Sequence, residues 1–213
     1  MFVVLEGIDG SGTTTQVARL KAALEARGKQ VHATREPSTG PVGRLLRQVL
    51  EGKVGDDSGP IRLDFGTLAL LFAADRMDHV ARDIEPALAR KEIVLCDRYD
   101  LSSLIYQSET APDPAQALPW LTALNARAPR PDLTIVLHVD AAVALERRRA
   151  RGGPEELFEV PELQTRLAAR YAEAERYRPQ DRIAVLDASA GVAEVEAAVL
   201  AKVLPLLGAP ATR

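Results

Sequence analysis

The chain has 213 residues, a net charge of −3 and 46% hydrophobic residues, which suits one domain over residues 1–213. Without a basic excess, neither nucleic acid nor a membrane surface is expected as its main partner, so any polyanion must be held by local clusters of cations. The opening Met1–Glu6 has no signal-peptide pattern, and no run reaches the roughly 18 apolar residues of a bilayer span, so a cytoplasmic protein is expected.

The apolar run Phe2–Leu5 predicts a buried strand, followed by a Gly/Ser/Thr stretch over Gly7–Thr15. Val17, Leu20, Ala23 and Leu24 are spaced for one helix face, with Gly28 as the stop. Val31–Thr34 reads as a second strand, Pro41–Leu50 as a short helix and the polar segment Gly52–Pro60 as a loop. A long helix is expected over Ile61–Arg90, broken near Pro86, where the ring removes a backbone donor. Glu92–Cys96 reads as a third strand, and its lone cysteine, Cys96, as a core thiol. Helices are expected from Ser102 and over Gln116–Ala126, with a turn at Ala111–Pro114 between them. Leu133–Val139 is a fourth strand, Ala141–Arg151 a helix broken by Gly152-Gly153-Pro154, and Leu163–Tyr177 another helix. Ile183–Leu186 and Val192–Leu207 complete the pattern as a fifth strand and a closing helix. Strands alternating with helices imply a parallel sheet covered on both faces.

Gly7-Ile8-Asp9-Gly10-Ser11-Gly12-Thr13-Thr14 matches the phosphate-loop spacing G-x-x-x-x-G-K-[ST] at Gly7, Gly12 and Thr14, but Thr13 stands at the lysine position. Glycines let successive N–H groups point inward as an anion nest, and the following helix adds its positive end. The Thr14 hydroxyl is placed to ligate Mg²⁺. A Gly-rich turn without a ligand is the plainer alternative; the setting, between a first strand and an amphipathic helix, favours phosphate. The missing lysine matters, because one charge at ~4 Å is worth roughly 4 kcal/mol at an effective dielectric near 20. Either another cation substitutes, or turnover is slow, or catalysis is lost. Arg98, at a strand end, can grip a phosphate bidentately or serve only in a surface pair with Asp97. Phe72 and Arg76, four apart, share a helix face and suit a pyrimidine ring, although Phe72 also reads as core. His32, His79 and His138 show no metal or triad pattern.

Five segments in order resemble thymidylate kinases of the bacterial type. They are the loop from Leu5 through Gln16, Thr34-Arg35-Glu36-Pro37, Leu71–Arg76, Cys96–Tyr99 continued by Ser102-Ser103 and Tyr106-Gln107, and Pro131-Asp132-Leu133-Thr134. The resemblance implies a three-layer α/β P-loop kinase fold, a five-stranded parallel sheet with helices on both faces and a short basic lid at about 147–159. It implies ATP-dependent phosphorylation of dTMP to dTDP, with ATP as donor, Mg²⁺ as cofactor and a homodimer built through the Leu68–Val80 region. Gly7, Ile8, Asp9, Gly10, Ser11, Gly12, Thr13 and Thr14 would hold the donor phosphates, and Thr14 and Asp97 the metal. Arg98 would clamp the acceptor phosphate, with Arg47 beside it. Phe72 and Arg76 would take the base, Ser103 and Gln107 its edge, Tyr106 the sugar, and Glu36 would order the arginines. Ser102 falls in the same motif, and Asp9 would stand near the sugar and the reacting groups.

The basic run Arg147-Arg148-Arg149-Ala150-Arg151 reads as the lid, or as a solvated helix end favoured by its dipole. Within it, Arg149 or Arg151 is expected to supply the charge that Thr13 lacks. The chain departs from the resembled pattern at Ser38-Thr39-Gly40 and at Glu156-Leu157-Phe158-Glu159. Another deoxynucleotide or deoxynucleoside kinase, or a nucleotide-binding protein without catalysis, are the alternative functions.

Overall fold

A computed structural model describes residues 1–56, 59–61, 63–152, 157–158 and 160–208. The elements are β1 (Phe2–Glu6), α1 (Thr13–Glu25), β2 (Val31–Arg35), α2 (Pro41–Leu50), β3 (Gly55–Asp56), β4 (Gly59–Pro60) and α3 (Phe65–His79). A π-helical turn (Val80–Ile84) leads into α4 (Glu85–Ala89), then β5 (Ile93–Asp97), α5 (Asp100–Thr110), α6 (Pro114–Leu124) and β6 (Leu133–His138). The chain continues through α7 (Ala141–Arg151), α8 (Pro161–Ala172), β7 (Ile183–Asp187) and α9 (Val192–Val203).

Five strands form one parallel sheet in the order β2-β5-β1-β6-β7, as the alternating pattern implies. In register, Leu5 lies opposite both Asp97 and Ile135. β1 is buried along its whole length, so it reads as a continuous apolar run rather than an alternation. Val3 and Leu5 pack in a cluster with Val17, Leu20 and Leu24 of α1. Phe2 and Val4 point the other way, against Val80, Ile84 and Ala87. Among the described residues, no helix is long and apolar enough to cross a membrane.

Three local departures from the expected elements have physical causes. The long helix starts at Phe65 rather than Ile61 because Asp64 caps it: Asp64 Oδ1 accepts from Gly66 N (2.8 Å) and Thr67 N (3.1 Å). The helix does not break at Pro86. It widens by one π turn instead, in which Glu85 N–H bonds Val80 O, and Pro86 then sits at the start of α4, where its missing donor costs nothing. Within the expected loop Gly52–Pro60, Gly55–Asp56 and Gly59–Pro60 pair as a small antiparallel ladder.

The order of strands reverses around β1, which puts the crevice at the carboxyl ends of β1 and β5, where ligands of open α/β sheets bind. Leu5 lies fully buried at that seam. Leu5→Ala is expected to lower unfolding free energy by about 2–5 kcal/mol in a urea titration. A loss below about 1 kcal/mol would mean that the seam is not tightly packed.

Candidate active site

The loop between β1 and α1 turns tightly, with Ser11 N–H bonded to Ile8 O at 3.0 Å. Gly10 adopts a φ of 91°, and a Cβ there would stand 2.2 Å from Ala144 O, so α7 packs directly on the loop. Gly12 caps α1 without any side-chain partner, leaving the first helical N–H groups facing the cleft. That cleft measures about 510 Å³ and is lined by the whole run Ile8–Gln16 together with five arginines, Arg35, Arg47, Arg98, Arg147 and Arg148.

Thr14 Oγ1 donates to Asp97 Oδ2 at 2.5 Å across the ends of β1 and β5. Asp97 Oδ1 is buried without a hydrogen-bond partner. A hydroxyl beside an orphaned carboxylate oxygen is a hard-oxygen set that fits Mg²⁺. Thr13 lines the same cleft and brings no charge. Arg47 donates to Pro37 O (2.6 Å), and Arg147 to Ala188 O (2.7 Å) and Ser189 O (3.1 Å), so Arg147 pins the loop after β7. Arg148 borders both this cleft and a neighbouring one of about 200 Å³ that contains Asp9. Arg149 is exposed and lines none of these clefts. The side chain of Arg151, residues 153–156 and residue 159 lie outside the described residues, so most of the expected lid beyond α7 does too.

A second, smaller cleft of about 80 Å³ opens beside the first. Asp9, Glu36, Pro37 and Arg98 line both, so the two clefts meet at these four residues. Arg98 has a φ of 69°, a left-handed backbone rare for a non-glycine, held by its N–H bond to Leu5 O at 2.8 Å. The turn swings its guanidinium over the Tyr106 ring and onto Asp9 Oδ1 (2.7 Å), with Ser102 Oγ and Tyr106 OH each at 3.3 Å. Phe72 and Gln107 also line this cleft, and Gln107 Oε1 is buried without a partner.

Arg76 lines this smaller cleft and Ser103 does not, and both are tied into one hydrogen-bond network. Arg76 is 1% exposed, and its donors reach Glu36 Oε2 (3.0 and 2.7 Å), Asn125 Oδ1, Tyr99 O (3.1 Å) and Ser103 Oγ (3.0 Å). It forms the floor of the cleft together with Glu36, and the Ser103 hydroxyl is engaged in holding it. The altered stretch Ser38-Thr39-Gly40 is fastened from behind: Ser38 N and Oγ both donate to Asp75, at 2.8 and 2.5 Å.

Several residues of the site were not singled out by the sequence. Pro37, Leu50, Tyr99 and Phe158 line the smaller cleft, and Phe158 meets Tyr106 edge-on at 5.4 Å. Gln164 on α8 donates to Asp9 Oδ2 (3.3 Å) and Phe158 O (2.8 Å). Glu6, fully buried at the end of β1, accepts from Tyr99 N (2.8 Å), Ser102 N (3.2 Å), Ser102 Oγ (2.5 Å) and Tyr171 OH (3.1 Å). Glu6, Pro37 and Tyr99 fall within the quoted motifs, and Glu6 also closes an otherwise apolar strand; Leu50 and Gln164 are ordinary apolar or polar positions in sequence.

A sequence model of the family described as "Thymidylate kinase" matches residues 5–199. The chain belongs to the thymidylate kinase family. Relatives agree over nearly the full length. A Pyrococcus abyssi protein described as "Probable thymidylate kinase" is 41% identical over 204 residues, covering 95% of each chain. The "Thymidylate kinase" of Pelobacter propionicus is 38% identical, over 95% of this chain and 93% of its own. That of Bifidobacterium longum is 40% identical, over 93% and 95%. Family membership makes this a nucleoside-monophosphate kinase of the α/β P-loop type, with ATP as its phosphate donor. In this thymidylate kinase, the phosphate loop lines the larger cleft.

In this thymidylate kinase site, burial outweighs the four donors around Glu6 and lifts its pKa from 4.5 to about 7. An acid whose pKa is raised by folding contributes stability at low pH that is lost as pH rises from about 4.5 through about 7. Glu6→Gln removes that titration. Relative to wild type, the variant is expected to gain about 2–3 kcal/mol of stability between pH 5 and pH 8, measured by urea unfolding. An unchanged difference across that range would show that Glu6 titrates as an ordinary carboxylate.

Proposed function

We propose that this protein transfers the γ-phosphoryl group of ATP to dTMP, forming dTDP, with Mg²⁺ at the donor phosphates. The observation that carries the reading is the meeting of the two clefts at Asp9 and Arg98. Donor phosphates on the phosphate loop and an acceptor phosphate on Arg98 would then approach each other, which is most of what phosphoryl transfer requires. An oxygen of the dTMP phosphate bonds to the γ-phosphorus as the bond from that phosphorus to the β–γ bridging oxygen breaks, and ADP leaves. The acceptor phosphate is its own nucleophile, so no side-chain nucleophile is needed.

Arg98 exchanges Asp9 for the acceptor phosphate, and Asp9 is then free to face the sugar. Arg47 stands on the donor side of the same junction. Phe72 offers an aromatic face to the base, and the unpartnered Gln107 Oε1 accepts from a ring N–H such as that of thymine. Ser102 and Tyr106 hold Arg98, and Tyr106 closes the pocket toward the sugar. Arg76, Ser103 and Glu36 act from below by keeping the floor rigid. Thr14 and Asp97 would hold Mg²⁺, which supplies charge neutralisation on the donor oxygens.

The cation that Thr13 lacks is best assigned to Arg148. Ala144 O lies against Gly10, and Arg148 follows it by one helical turn on the same face of α7. This favours Arg148 over Arg149, which is exposed. Leu70 and Met77, exposed and seven residues apart on α3, support a homodimer through that helix. The buried free thiol of Cys96 and the need for ATP support a cytoplasmic location.

The test is ADP formation from ATP and Mg²⁺ with dTMP, dUMP, dCMP or thymidine as acceptor. Turnover is expected with dTMP foremost. Arg148→Ala is expected to lower kcat by about 10²- to 10³-fold, and Thr13→Lys to restore part of it. Arg149→Ala should stay within about threefold of wild type, below the loss expected for a transition-state donor. The reverse ranking of the two arginines would overturn the assignment. Nucleotide binding without turnover on any acceptor would favour the binding-protein reading, for which Thr13 is the supporting observation.

A further inference from the structure

Beneath the acceptor cleft, a line of polar groups runs from its floor away from the reacting phosphates. It leads from Arg76 through Glu36 to His79, Thr34 and Asp83, and ends at His32. His79 follows Arg76 by one turn of α3 and is 3% exposed. Its Nδ1 lies 3.2 Å from Glu36 Oε1. Its Nε2 lies 2.7 Å from Thr34 Oγ1 and 3.4 Å from Asp83 Oδ2. The Thr34 hydroxyl is also 2.7 Å from Asp83 Oδ2.

Counting protons decides what His79 must be. A threonine hydroxyl has one proton, and ionised carboxylates only accept. The Thr34 proton goes to Asp83, so Thr34 must accept from His79 Nε2–H. Glu36 already accepts twice from Arg76 on its other oxygen and is itself a carboxylate, so Nδ1 must donate as well. A neutral ring has one proton and would leave one of these short contacts as acceptor against acceptor. Only the imidazolium satisfies both.

We infer that His79 is a positioning residue held as an imidazolium at neutral pH, which clamps Glu36 and, through it, Arg76 into the floor of the acceptor cleft. This rests on the reading of that cleft as the dTMP site. It makes acceptor affinity depend on a proton that takes no part in the reaction. Three carboxylates face His79, with two bases further off. Glu36 faces it from the loop after β2, Asp75 from α3 and Asp83 from the π turn, with Arg76 beyond Glu36 and His32 Nε2 2.8 Å from the far oxygen of Asp83. Burial pulls the His79 pKa down, but the hydrogen bond and charge of Glu36 and the charges of Asp83 and Asp75 outweigh it and leave it raised. On its outer side His79 borders a cleft of about 480 Å³ together with Arg44, Asp78, Arg82 and Asp83, which gives the proton a route to solvent.

The sign follows from linkage. A base whose pKa is raised by folding supports the fold and the site below its usual value, and that support is lost as pH rises through the raised pKa. The dTMP phosphate is already fully charged above pH 7, since its second pKa is near 6, so it does not mask the effect.

Two measurements on the full chain test this. In a ¹⁵N-labelled sample, the chain's three histidines are observed by long-range ¹H–¹⁵N NMR, with His79 assigned from the signals missing in His79→Gln. Both His79 ring nitrogens are expected in the imidazolium range at pH 7.5; a neutral single tautomer at that pH overturns the inference, whatever the kinase activity. If His79→Gln does not fold, selective titration of the three wild-type rings serves instead, with the highest midpoint expected for the least accessible ring. In titration calorimetry, wild-type Kd for dTMP is expected to rise about fivefold or more from pH 7 to pH 9, and His79→Gln to bind weakly with a flat profile. Equal pH dependence in both proteins overturns the positioning role. An imidazolium His79 and pH-linked dTMP binding in a chain that never forms ADP would support the inference and overturn only the proposed reaction.

Discussion

A cleft that holds two phosphorylated molecules must gather positive charge against the repulsion of its own cations, and in the proposed function that work would be centred on Arg98. Its side chain lies where the donor and acceptor clefts join, and its left-handed backbone is what aims it there. Asp9 neutralises it at 2.7 Å. That pair keeps a largely buried guanidinium satisfied, and in the proposed function a phosphate would displace the carboxylate. β1, α5 and α8 all converge on this point, through Glu6, Ser102, Tyr106 and Tyr171.

The loss of a lysine from the phosphate loop makes sense within the same electrostatics. Five arginines line the larger cleft, and four of them differ in how the fold places them. Arg147 is bound to loop carbonyls, Arg47 to the acceptor loop and Arg98 to Asp9. Arg148 rides on the helix that touches the loop at Gly10. In the proposed function, a cation on that helix would reach the phosphates because α7 packs on the loop.

Two buried acids each sit between two bases, which are buried around Glu36 and more exposed around Asp100. Glu36 sits between Arg76 and His79, and Asp100 between Arg130 and Arg178. Such groups are costly to desolvate and are retained where their geometry serves a site. Glu6 stands apart, since dipoles and hydroxyls surround it rather than a direct ion pair, and its pKa rises accordingly.

The sequence alone determined the strands, the parallel sheet and the phosphate loop, because apolar runs, glycine spacing and turn residues act locally. It also determined the family, through motifs kept in order from Leu5 to Thr134. It could not determine that Asp64 begins the long helix, or that Pro86 is absorbed by a π turn, since those depend on which hydrogen bonds the packed chain can still make. Nor could it separate the arginines. Arg76 and Arg98 look alike in sequence, yet one is sealed under the cleft and the other faces its junction. Arg148 and Arg149 are neighbours, yet a helical step of about 100° puts one at the cleft and the other in solvent. Partners such as Glu6 with Tyr171, or Glu36 with His79, lie far apart in the chain and meet only through the tertiary fold. Which side chains carry charge, and which touch a substrate, follows from that packing and from the water it excludes.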